Sequence, residues 1–210
     1  MLQKIKLISA GFVFALFVIA VSSVAAQTDQ ENGKTKIPTL GCCKCLGGTN
    51  SLDLSTIPSN KWTVNGNAVA FPTAIHSLWN LPTGTAKWVS TVLTGSTGSI
   101  PGGSYEYKLQ FVVPNCTIDQ KVTLSGNYGG DDDVQVFLDN TSGSAISSCS
   151  GGWCFNTKNP PAPFNTTITT PGLHTLIIKV QNSGASPSGM FVNAKLTGTC
   201  SSKMTKSEKE

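Results

Sequence analysis

Three consecutive carboxylates, Asp131, Asp132 and Asp133, follow Gly129 and Gly130 and precede an alternating stretch that ends near Asp139. Three adjacent like charges cannot share a dry core, so the run needs water, a cation or a polar ligand. One chemistry that suits it is calcium binding, with Asp131 and Asp133 as ligands, carbonyls of the Gly129-Gly130 turn, and Asp139 as a further donor. Calcium takes about six to eight oxygens, which closely spaced aspartates can supply. The spacing matches neither the EF-hand loop nor any strict calcium repeat. A solvated turn whose aspartates cap backbone amides accounts for the same residues. A third reading has one of them, Asp132, accepting hydrogen bonds from sugar hydroxyls.

Aromatic residues give the sugar reading its physical content. A pyranose ring stacks its C–H face on Trp or Tyr, while nearby Asp, Asn or Gln takes the hydroxyls. Trp153 lies in the glycine-rich stretch Cys-Ser-Gly-Gly-Trp-Cys, where burial is less assured than in a strand. It is the first candidate for an exposed platform, with packing as the competing role. Trp79 and Tyr128, both beside turns, come next, and Asn156 and Asn159 add polar groups near Trp153. Trp62 and Trp88 stand in strand patterns and are read as core.

A reactive centre does not assemble from this inventory. The two histidines, His76 and His174, have no adjacent nucleophile motif, and neither Gly-x-Ser-x-Gly nor His-Glu-x-x-His occurs. A glycosidase needs two facing carboxylates. Outside the acidic run the domain offers Asp53, Glu106, Asp119 and Asp139. A polysaccharide or ester hydrolase using Asp131 or Asp133 is therefore the least favoured reading, and the chain is expected not to be an enzyme. It contains no arginine, the fork that reads phosphates and guanine edges, which argues against nucleic acid. Between residues 39 and 200 eight lysines face seven acids, a near-neutral balance that suits uncharged polar partners.

The elements that must position these residues are strands. Period-two alternation of apolar residues on both sides of the acidic run predicts a hairpin over residues 120–140, with the carboxylates at its tip. Further strands are expected at 51–56, 61–64, 85–93, 104–113, 164–168, 173–180 and 189–198. Residues 65–82 and 140–163 read as long connections. About nine strands and no helical period predict an all-β, antiparallel β-sandwich with Greek-key links. Residues 1–26 have the basic opening, apolar run and small-residue end of a signal peptide, cleaved after Ala26. Residues 27–38 read as a flexible leader, 39–200 as one domain, and 201–210 as a disordered charged tail. The mature protein is expected to be extracellular or periplasmic, with no membrane insertion after cleavage.

The motif order is a Trp-bearing strand, Tyr-x-Tyr-x-x-x-Phe, Leu-Ser-Gly-x-Tyr with Asp-Asp soon after, and Val-x-Val-x-Leu-Asp-Asn. A Phe before a short strand follows, then Gly-x-His-Thr-Leu-x-Ile-x-Val-x-Asn, and a closing Gly-x-x-Val-x-x-x-Leu-x-Gly. Over residues 88–198 this resembles the galactose-binding-like jelly rolls of secreted bacterial surface proteins and carbohydrate-binding modules. The resemblance implies a jelly-roll sandwich that recognises sugars or cell surfaces through loops at one end. It also implies that the first and last strands are neighbours, so one cysteine of Cys42, Cys43 and Cys45 meets Cys200, while Cys116 can take another. Cys149 and Cys154 pair by their short glycine-containing spacing, which leaves one of seven cysteines over. A metal site built on the Cys42–Cys45 cluster is disfavoured because the compartment is oxidising. Carbohydrate or cell-surface glycan recognition by a disulfide-braced, non-catalytic module is the leading expectation. Its alternative is a structural or adhesive surface protein that self-associates, for example through the odd cysteine.

Overall fold

Long alternating segments fold as expected. The computed structural model of the chain describes residues 36–58, 61–93, 98–151, 154–156 and 161–201. The expected signal peptide, most of the leader, the charged tail beyond Ser201, Trp153 and Asn159 lie outside the described residues. Ten strands occur among the described residues: β1 Thr49–Asp53, β2 Thr63–Val64, β3 Asn67–Ala68, β4 Gly103–Val113 and β5 Gln120–Asp131. The others are β6 Asp133–Leu138, β7 Ser147–Cys149, β8 Ala162–Ile168, β9 Gly172–Asn182 and β10 Gly189–Cys200. Four form one sheet in the order β1-β10-β5-β8, and six form another in the order β3-β2-β4-β9-β6-β7. All pairings within the two sheets are antiparallel. The fold is an all-β sandwich braced by disulfides, with β1 and β10, first and last, as neighbours.

The alternation explains the core. Tyr107, Leu109 and Phe111 of β4 and Leu176, Ile178 and Val180 of β9 bury themselves against Leu124 and Tyr128 of β5 and Val192 and Leu196 of β10. Burying such side chains contributes about 1.5–3 kcal/mol each, set against the entropy of ordering the chain. The intervening residues of β4 and β9 point out of the sandwich and pair in register, Lys108 with Ile177 and Gln110 with Thr175. Ile37 and Pro38, at the end of the expected leader, lie along β4, where the Val112 amide donates to the Pro38 carbonyl at 2.8 Å.

The predicted hairpin is corrected by the sheet order. β5 lies between β10 and β8, whereas β6 lies between β9 and β7 in the opposite layer. The carboxylates therefore occupy a crossing from one sheet to the other and are not the tip of a hairpin. The two glycines serve close packing there. A Cβ on Gly129 would come within 2.6 Å of the Phe191 ring, and one on Gly130 within 2.5 Å of a Val134 methyl. Sequence alternation gives the period of each strand but not its layer, so two consecutive strands read as neighbours.

Residues 85–93, expected as a strand, make only isolated bridges, Ser90 with Ala70 and Val89 with Met190. This segment carries Trp88 onto Phe191, with ring centroids 5.1 Å apart, and Trp79 stacks on Trp88 at 4.1 Å. Phe191 alternates with the core-facing Met190 and Val192, so these rings form a second apolar cluster on the opposite face of β10. The connection 140–163 also contributes β7, which the sequence did not suggest.

Three disulfides form: Cys42–Cys116, Cys43–Cys200 and Cys149–Cys154. Cys45 is the cysteine left over, and it is exposed. The first two staple the segment before β1 to the end of β10 and to the connection between β4 and β5. They close the end of the sandwich opposite the acidic crossing.

Candidate functional site

At the crossing the three aspartates have three different environments. Asp131 is buried, and its carboxyl accepts a hydrogen bond from the Trp79 indole at 2.8 Å. Burial pushes its pKa up to about 8; the neighbouring Asp132 pushes the same way, and the Trp79 bond opposes it. Asp132 moves in the opposite direction. Burial would raise it, but hydrogen bonds from Asp131 and from Ser183 outweigh that and hold it below the ordinary carboxylate range. The backbone amide of Ser183 donates at 2.8 Å, and the Ser183 hydroxyl donates to the same oxygen. Near neutral pH the pair is a protonated Asp131 donating to an ionised Asp132. Asp133 enters β6 opposite Gln181.

This crossing ties the layers together, and it does not present the expected calcium set. Asp139 lies beyond the other end of β6, six residues of extended chain and about 20 Å from Asp133. There its carboxylate takes the His174 ring Nδ1 at 2.9 Å and the Thr175 amide at 2.9 Å. Among the described residues no group of three or more His, Cys, Asp or Glu side chains stands where it could hold a metal. His174 is itself buried, stacked on Phe111 at 5.7 Å, with its other nitrogen 2.9 Å from the Thr170 carbonyl.

Two of the expected platforms are not surfaces. Trp79 is 1% exposed, because Trp88 covers its face and Asp131 takes its N–H. Tyr128 is fully buried in β5, with its hydroxyl 3.0 Å from Ser147 Oγ. Both sit beside turns in sequence, but the partners that bury them come from distant segments. Asn156 is half-buried and bridges Trp79, and the Gly130 amide reaches the Cys154 carbonyl. Cys154 and Asn156 are thus anchored beside the acidic crossing.

A different surface has the shape of a binding site. A groove of about 710 Å³ runs over the outer face of the six-stranded sheet. Ile37, Pro38, Ala68, Ile177 and an edge of the buried Trp62 give it apolar walls. Its polar lining is Lys61, Thr63, Lys108, Gln110, Thr175 and Asp139. Register explains the assembly. Thr63 of β2 pairs with Lys108 of β4, which pairs with Ile177 of β9; one step along, Gln110 pairs with Thr175, whose carbonyl accepts from the Asp139 amide at 2.8 Å. Two parallel rows of outward side chains result, about 7 Å apart along the strands and about 5 Å between strands. No sequence motif marks this surface, since each residue is an ordinary solvent-side position of an alternating strand.

No protein-family model matches the chain, and no curated protein matches it. Solved structures similar to it include a family 35 carbohydrate binding module from Clostridium thermocellum, at 12% identity and a TM-score of 0.34, covering 69% of this chain and 97% of that one. A family 35 module from Paenibacillus barcinonensis is similar at 10% identity and a TM-score of 0.32, over 69% and 96% of the two chains. A GH2 beta-galacturonidase from Eisenbergiella tayi is similar at 15% identity and a TM-score of 0.35; 72% of this chain matches 24% of the length of that one.

Proposed function

We propose that this domain is an extracellular, non-catalytic module that binds carbohydrate. The observation that carries the reading is the groove on the outer face of the six-stranded sheet, whose size falls in the range of small-ligand sites. Saccharides need apolar contact for their C–H faces and convergent donors and acceptors for their hydroxyls. Ile177, Ala68 and Pro38 offer the first, and Gln110, Thr175, Thr63 and the lysines offer the second. Its single lining carboxylate, Asp139, is engaged by His174 and Thr175, which leaves no facing acid–base pair among the lining residues. Three disulfides suit an oxidising compartment outside the cytoplasm.

A glycan array tests the proposal. Binding that falls at least about tenfold in a Gln110→Ala, Thr175→Ala variant with an unchanged melting curve supports the groove. Binding that instead disappears in Trp153→Ala moves the site to the end loops beside Asp132 and Asn156. The contacts of Asn156 with Trp79 and of Cys154 with Gly130, both beside the acidic crossing, are what support that second location. Absence of any glycan signal contradicts the reading.

The exposed, unpaired Cys45 favours one alternative role, a surface protein linked to further copies of itself. That role predicts covalent dimers on a non-reducing gel that vanish in Cys45→Ser.

A further inference from the structure

The charges that line the groove are unevenly placed. Lys61 and Lys108 come from the adjacent strand segments at one side, and Asp139 stands two strands away, past β9. Lys61 lies two residues before Thr63, the register partner of Lys108, and both lysines line the groove, so their side chains converge on the same side of it. Asp139 does not pair with them, because it stands about 10 Å away across β9, held there by the His174 ring and the Thr175 amide. Lys108 has an ion pair with Glu106 at 2.7 Å, but Glu106 lies one step further along β4, outside the groove lining, and both side chains are partly exposed. An exposed pair of this kind exchanges partners at little cost. Lys61 has no carboxylate partner among the described residues. One wall of the groove therefore carries two available cations, although the domain as a whole is nearly neutral.

We propose that the groove takes acidic saccharides, with uronate carboxylates placed between Lys61 and Lys108. This deepens the carbohydrate reading and rests on it. Gln110 and Thr63, which stand between the two lysines in the rows, bond the hydroxyls that flank the carboxylate. The sugar ring lies toward Ile177, and Asp139 at the far side disfavours a second carboxylate there, so an acidic chain enters in one orientation.

The test uses short oligogalacturonate chains and the same chains fully methyl-esterified, which differ in charge and share a backbone. Calorimetric titration of the whole chain is expected to show the acid form binding about tenfold tighter at low salt, with the preference shrinking as salt rises. Lys61→Gln with Lys108→Gln should erase the preference while leaving the melting curve in place. Lys121→Gln with Lys195→Gln, on the outward face of the other sheet, should leave it intact. If the acid and ester forms bind equally, or if the second pair of substitutions erases the preference as well, acidic specificity is overturned while the carbohydrate reading stands. If neither form binds, this inference fails, and the glycan array decides the broader reading on its own.

Discussion

Asp131→Asn replaces a buried acid with an amide of nearly the same shape. The amide can still accept from the Trp79 indole through its oxygen and donate to Asp132 through its nitrogen, as the protonated acid does. It differs in staying neutral at every pH. Asp131 titrates near 8 in the folded protein, against an ordinary value of 3.8. Because the folded value is raised, the stabilisation from this group is complete below about pH 3.8 and is lost as pH rises through about 8. At about 1.4 kcal/mol per pKa unit the full displacement gives a ceiling of about 6 kcal/mol. Solvent reaching the less buried Asp132, and the coupling between the two carboxyls, reduce this to about 2–3 kcal/mol. A domain of this size moves its Tm by about 2–4 °C per kcal/mol. Thermal unfolding followed by circular dichroism from pH 5 to 9, without reductant, should show wild type losing about 5–10 °C relative to the variant, which overtakes it at the alkaline end. Parallel curves across the range, or a variant less stable than wild type at pH 9, would mean that Asp131 is ionised in the native protein and that the account of the crossing is wrong.

Trp79→Phe keeps an aromatic ring against Trp88 but removes the indole donor to Asp131, and should cost about 2–3 kcal/mol in denaturant melts. Since that bond favours the charged acid, its loss should also move the alkaline stability loss to higher pH. Gly126→Ala places a methyl 2.2 Å from the Asn193 carbonyl oxygen and 2.9 Å from the Ala194 Cα, so β5 and β10 must part; a loss of about 2 kcal/mol or more is expected from the same melts. Removing Cys43–Cys200, whose partners are 157 residues apart, should destabilise by about 4–5 kcal/mol, against about 2 kcal/mol for Cys149–Cys154 at a separation of 5. Equal losses for the two Cys→Ser pairs would show that loop closure is not what these bonds contribute.

The parts of this fold that are legible in the sequence are those with long, regular alternation. β4 and β9, eleven residues each, show their inward and outward faces directly, and both face as the period requires. Cysteine spacing identifies Cys149–Cys154, and the jelly-roll resemblance anticipates a partner for Cys200 near the start of the domain. What alternation cannot encode is the layer to which a strand belongs, which is why β5 and β6 read as a hairpin around Gly129 and Gly130. Nor can local context reveal burial by distant partners. Trp79 and Tyr128 look like turn aromatics until Trp88 and the strands around β5 are put in place. The groove is illegible for the same reason, since Lys61, Lys108 and Thr175 become neighbours only through register.

The central claim is that the outer face of the six-stranded sheet, and not a reactive centre, meets a glycan. Amide chemical-shift mapping tests it most directly, with the isotope-labelled chain titrated against xylo-oligosaccharides, galacto-oligosaccharides and oligogalacturonate in turn. The account predicts that at least one of them moves a contiguous set of signals including Thr63, Lys108, Gln110, Thr175 and Ile177. Shifts confined to residues 131–133, 156 and 183, or no shifts with any of the three, would contradict it.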